Sequence, residues 1–223
     1  MFIEFVESLR CLRPHEDSWL VAAADRMVGR SIVEGTLGCP VCRAQYPIVG
    51  GVAYFGASPA GGRAGGAATA ELRPAPDPEL VLRAAALLGL ADAGGTAVLA
   101  GGWGDAAEGL RVLAEVHYLL VDPPHDVVTS DGVSVVRTDG RLPLAAGSVR
   151  GVALDGATSL TSTVDAAVRA LRTGGRLVAP VGVALPAGVH ELARDARHWV
   201  AEREPAPTAP VTLVRRRGDG REG

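Results

Sequence analysis

Four side chains near the start of the chain, Cys11, His15, Cys39 and Cys42, are of the types that hold a transition metal. Cys39-Pro40-Val41-Cys42 places two thiols three residues apart on a tight turn, so both can grip one ion from adjacent corners. Cys11 is the only other cysteine, and His15 follows it across Pro14. The chain between His15 and Cys39 is long enough to fold the two corners together. The set Cys11, His15, Cys39 and Cys42 fills a tetrahedron with protein ligands alone, which makes the expected zinc structural, with no open position for catalysis. Asp17 is the substitute should His15 stay outside. The competing readings are buried thiols with a surface histidine, or a redox pair. The pair does not open a helix after a strand, as a redox motif would.

A second constellation begins at Thr96. A β-rich run, Thr96-Ala97-Val98-Leu99-Ala100, enters Gly101-Gly102-Trp103-Gly104-Asp105. Glycines at a strand-to-helix turn let a ligand approach the backbone. Asp122 ends the next strand about 20 residues on, where a carboxylate can accept from a ribose diol. No nucleophile or general-base cluster accompanies these residues, and there is no Asn-Pro-Pro-aromatic motif, so catalytic residues are unassigned. His117 and His125 flank the second strand without partners that would give them a role.

The elements that must position these groups fall into an α/β pattern. Residues 2–9 are short and amphipathic, 19–24 are apolar, and 46–55 read as a strand broken by a Gly50-Gly51 turn. Residues 56–78, rich in Gly, Ala, Pro and Ser, are expected to be a linker. Beyond it, helices are predicted over 79–90 (with Asp77 as cap), 105–115, 162–172 and 189–203. Strands are predicted over 96–100, 116–121, 133–137, 149–154, 176–181 and 211–216. Strands alternating with helices imply a mostly parallel sheet. The expected division is a module over 1–55, a linker over 56–78, a sheet domain over 79–217 and a frayed tail over 218–223.

Composition narrows the setting. The 223 residues carry a net charge of −3 and are 48% hydrophobic, enough for a sizeable core. Every basic side chain counted is Arg, since the chain has no Lys. No basic block indicates a nucleic-acid partner. No apolar run approaches a membrane span, and the first ten residues do not read as a secretory leader. Three cysteines suit a disulfide framework poorly. A cytoplasmic location is expected, where thiols stay reduced.

Two resemblances follow from the motifs. Leu9-Arg10-Cys11, Glu34-Gly35-Thr36-Leu37-Gly38-Cys39-Pro40-Val41-Cys42 and Tyr46-Pro47-Ile48-Val49-Gly50-Gly51-Val52 resemble the small zinc-ribbon proteins that activate tRNA and protein methyltransferases. Family members often carry a second Cys pair where this chain has Cys11-Leu12-Arg13-Pro14-His15. The resemblance implies a protein partner met through the ribbon. The Gly turn, Asp122, Asp139-Gly140-Arg141-Leu142-Pro143-Leu144, Gly147-Ser148-Val149 and Ala170-Leu171-Arg172-Thr173-Gly174-Gly175-Arg176-Leu177-Val178 resemble class I S-adenosylmethionine-dependent methyltransferases. That resemblance implies a reduced Rossmann-like fold. It would place Gly102 and Gly104 at the methionine end of S-adenosylmethionine, Asp122 at the ribose and Asp139 near the adenine. The chain departs from the pattern at Ala100, where the family has an acid, at Ala106, and in residues 123–132, too short for the usual helix. These departures favour a degenerate, zinc-bearing interaction or scaffold module over an active methyltransferase of unassigned substrate.

Overall fold

The computed structural model describes residues 1–56, 77–124, 129–138 and 140–205. Asp139, His125, most of the expected linker and the strand expected over 211–216 lie outside the described residues.

The first 56 residues form a 3₁₀ helix over Ile3–Ser8 and four antiparallel strands: β1 (Val21–Val28), β2 (Ser31–Gly38), β3 (Gln45–Val49) and β4 (Val52–Tyr54). Gly50 and Gly51, with φ of 59° and 84°, make the turn between β3 and β4 that the sequence signals. The nucleotide-type half follows as α1 (Pro78–Leu88), β5 (Thr96–Ala100), α2 (Ala107–Leu113), β6 (His117–Val121), β7 (Val133–Arg137), β8 (Val149–Ala153), α3 (Thr161–Ala170), β9 (Leu171–Pro180), β10 (Val189–Arg194) and β11 (His198–Arg203).

Eleven strands join in one sheet, in the order β1-β2-β3-β4-β7-β6-β5-β8-β9-β11-β10. The run β7-β6-β5-β8-β9 is parallel, and β11 sits antiparallel between β9 and β10. This is a Rossmann-like α/β architecture, reduced in its helices. β4 lies parallel to β7, pairing Val52 with Val135, Ala53 with Val136 and Tyr54 with Arg137. The cysteine-bearing segment therefore caps what would otherwise be an open sheet edge.

Strand alternation sorts the core into two faces. Val98 and Ala100 of β5 face a cluster shared with Met1, Phe5, Leu9, Ile48, Phe55 and α3; Ala97 and Leu99 face one built on α1 and α2. Residues 8–10 bond directly to the segment between β7 and β8: Arg10 N–H donates to Pro143 O at 2.8 Å and Ala145 N–H to Ser8 O at 2.8 Å. One apolar cluster thus runs through both halves of the chain.

Local signals explain several boundaries. Asp77 caps α1, its Oδ1 accepting from Glu79 N–H at 3.0 Å, and Gly89 ends the helix at φ 62°. The helix expected over 105–115 begins as a 3₁₀ turn, Gly101–Ala106, and becomes α-helical only at Ala107. The helix expected over 162–172 ends at Ala170, and Gly174-Gly175 lie inside β9. The helix expected over 189–203 is not formed; a β10–β11 hairpin stands there. Asp195 Oδ1 accepts from Arg197 and His198 N–H at 2.7 and 2.8 Å, reversing the chain. Trp199 and Ala201 then bury on one face and Val200 on the other. Pairing beside β9 overrides the helical propensity of the Glu-Leu-Ala-Arg run.

Candidate functional site

The cysteine corner is assembled by two loops. Arg43, at φ 60°, closes a turn in which its N–H donates to Cys39 O at 3.0 Å, and Cys39 N–H donates to Ala44 O at 2.9 Å. This presents Cys39 and Cys42 together. The other loop is held by Cys11 N–H on Ser18 O at 3.2 Å. The ligand atoms of Cys11, His15, Cys39 and Cys42 all lie within 4.8 Å of one another. Cys11 Sγ is 3.6 Å from Cys42 Sγ, and Cys39 Sγ is 3.4 Å from His15 Nε2. Ligands about 2.3 Å from a common zinc stand about 3.8 Å apart in a tetrahedron, so the spacing fits one ion. Asp17 has no place in the cluster; its carboxylate pairs with Arg10 at 3.9 Å.

The surroundings prepare these groups as ligands. His15 Nδ1 sits 2.6 Å from Glu16 O, which fixes the proton there and turns the Nε2 lone pair to the sulfurs. That carbonyl, ahead of the opposing burial, raises the His15 pKa, with the thiolates helping. Burial pushes the Cys39 thiol up, but backbone N–H groups of Cys42 and Val41 and the neighbouring thiols outweigh it, bringing its pKa down to about 6. Tyr46 accepts from Leu12 N–H at 3.2 Å and turns its hydroxyl to Cys11 Sγ, also at 3.2 Å. Burial, then Cys11, pushes the tyrosine pKa up to about 12. Sequence reasoning placed Tyr46 in a strand and in the block resembling the zinc ribbons, without a role beside the sulfurs.

The glycine turn is built differently. Gly102 N–H donates to Asp155 Oδ2 at 2.8 Å. Asp155 Oδ1 accepts from Ala157 N–H, Thr158 N–H and Thr158 Oγ1 at 3.1, 2.9 and 2.8 Å. A Cβ at Gly101 would collide with the Asp155 carboxylate, and Gly101 is at φ 59°. A Cβ at Gly104 would lie 3.1 Å from Pro123 Cβ. The glycines thus make room for the chain's own carboxylate and proline. Trp103 is buried, its Nε1–H donating to Leu154 O at 3.1 Å and its ring 5.1 Å from His198.

Asp122, at φ 47°, uses both oxygens on Thr138: Oδ1 takes the backbone N–H and Oδ2 the hydroxyl, each at 2.7 Å. The residues expected to hold S-adenosylmethionine do gather at the C-terminal ends of β5 and β6, Asp139 being undescribed. The Gly102 N–H is taken by Asp155 and the Asp122 carboxylate by Thr138, pairings that the sequence does not signal, while Pro123 packs beside Gly104. Two clefts among the described residues, of about 490 and 310 Å³, touch His117 at the opposite ends of the strands.

No family model matches the sequence. No curated protein matches it either. Solved structures do match. A geranyl diphosphate methyltransferase in complex with S-adenosylmethionine is 17% identical, with 45% of this chain and 47% of that chain covered at a TM-score of 0.37. One chain of a complex containing the Haloferax volcanii Trm112 methyltransferase activator is 15% identical, covering 59% of this chain and 89% of that one at 0.44. The antibiotic-resistance methyltransferase Kmr is 17% identical, with 56% and 93% covered at 0.38. The match spans less than half the length of the geranyl diphosphate enzyme.

Proposed function

We propose that this protein is a zinc-ribbon protein whose methyltransferase-like half serves as an interaction or scaffold module and does not turn over S-adenosylmethionine. One observation carries the reading: the Gly102 N–H, which would face the cofactor, is already paired with Asp155. A ligand entering there must displace a carboxylate held by its own turn, in a space the Gly101 conformation exists to provide.

Cys11, His15, Cys39 and Cys42 would hold one zinc ion, which supplies folding energy to a segment of about 55 residues, too small to be secure on core burial alone. The ribbon would brace the sheet through β4 and present apolar side chains to another protein: Trp19, Val21, Val28 and Val41 are all more than half exposed. A cytoplasmic setting suits free thiols. No described helix is long and apolar enough to cross a membrane.

Calorimetric titration of S-adenosylmethionine into folded, zinc-loaded protein tests this reading. Flat heats to millimolar ligand are expected. Submillimolar binding that Asp122→Ala abolishes would establish an active cofactor site instead.

A further inference from the structure

The four ligands of the cysteine corner are not equally placed. Cys42 is exposed and Cys11 half-buried, while Cys39 is buried against His15 Nε2. The Cys11 and Cys42 sulfurs are already 3.6 Å apart, about 1.5 Å beyond disulfide bonding distance. The two solvent-facing thiols thus form a neighbouring pair, and the thiol they leave behind is the sheltered one. Redox-responsive thiols share this arrangement: an accessible thiolate with a resolving partner beside it.

We infer that the corner is a peroxide-responsive modification site, in which Cys42 is oxidised and Cys11 resolves it; this rests on the zinc reading above. The Cys42 thiolate attacks one oxygen of a hydroperoxide. The O–O bond breaks, Cys42 becomes a sulfenic acid, and the leaving oxygen departs as hydroxide or alkoxide. The Cys11 thiolate attacks the Cys42 sulfur, forming S–S and expelling hydroxide. With hydrogen peroxide, two sulfurs give up two electrons, and with two protons taken up the oxidant becomes two waters. Only Cys39 and His15 then remain as ligands, too few for a structural site, and the metal is released.

The consequence would reach the sheet. Leu9 bridges to Leu144, Arg10 N–H bonds to Pro143 O, and Arg141 donates to Leu12 O at 3.1 Å. A shift at Cys11 therefore pulls on the segment between β7 and β8.

The test uses the whole protein, with its zinc content measured first. Hydrogen peroxide is added stepwise while a chromophoric chelator reads free zinc, and the thiols are then mapped by peptide mass spectrometry. One zinc released per disulfide is expected, with the bond joining Cys11 to Cys42; thiol reductant plus zinc should reverse both. Zinc retained against excess peroxide, a bond from Cys39, or overoxidation of Cys42 without a disulfide would each overturn the inference. Absence of zinc from the untreated protein would instead remove the reading beneath it.

Discussion

The cysteine corner and the glycine turn are both places where polar groups converge, yet they end differently. At the first, three sulfurs and an imidazole nitrogen lie within 4.8 Å of one another and have only weak S–H hydrogen bonds to exchange, so one ion between them would serve all four better. At the second, every donor and acceptor traced finds a partner in the chain: Gly102 has Asp155, and Asp122 has Thr138. Convergence alone therefore does not make a binding site. What separates the two is whether the groups are mutually complementary. Three thiols and an imidazole are only weakly so, whereas an N–H beside a carboxylate is strongly so.

The largest effect that could break this contrast is loss of the metal. Structural zinc in small modules contributes on the order of 10 kcal/mol. Chelation, or Cys39→Ser, should melt residues 1–55 and expose the β7 edge. Circular dichroism and amide exchange would read this; an unchanged melting temperature after complete chelation would count against a structural site.

Next comes the steric claim at the turn. Gly101→Ala adds a left-handed conformation to a clash with Asp155, together about 2–4 kcal/mol. In an Asp155→Ala background the clash is gone and only about 1–2 kcal/mol should remain. Equal costs in both backgrounds, measured by urea unfolding, would show that Asp155 is not what the glycine accommodates.

Asp122→Ala should cost about 1–3 kcal/mol, because Thr138 loses its acceptor. Asp122→Gly should cost less, since glycine relieves the positive φ. A variant as stable as the parent would argue that the Asp122 carboxylate is held free for a ligand.

The smallest effect is in pH. Cys39 titrates near 6 rather than its ordinary 9. A lowered pKa means that the thiolate's stabilisation is complete above about pH 9 and is lost as pH falls toward 6. Zinc affinity, read by competition with a chromophoric chelator, should weaken as pH falls across that window, because protons compete with the metal for the Cys39 thiolate.

The contrast also explains what was legible beforehand. The metal ligands announce themselves through residue type and short spacing, and the structure gathers all four. The parallel sheet is readable from buried runs such as Tyr118-Leu119-Leu120-Val121. Asp155 and Thr138 are not readable, because their partners lie 53 and 16 residues away and a carboxylate after a strand looks the same whether it meets a ligand or a backbone N–H. Pairing of β4 with β7 is equally hidden, since it joins residues more than eighty positions apart. The β10–β11 hairpin was misread because helix-forming residues obscured the period-two burial of Trp199, Val200 and Ala201.

Both corners can be weighed at once by native mass spectrometry of the intact protein, sprayed with millimolar S-adenosylmethionine. The expected spectrum carries one zinc per chain and no cofactor adduct above the non-specific level. A stoichiometric S-adenosylmethionine adduct, or a folded chain free of zinc, would contradict the assignment of one corner to a metal and the other to the protein itself.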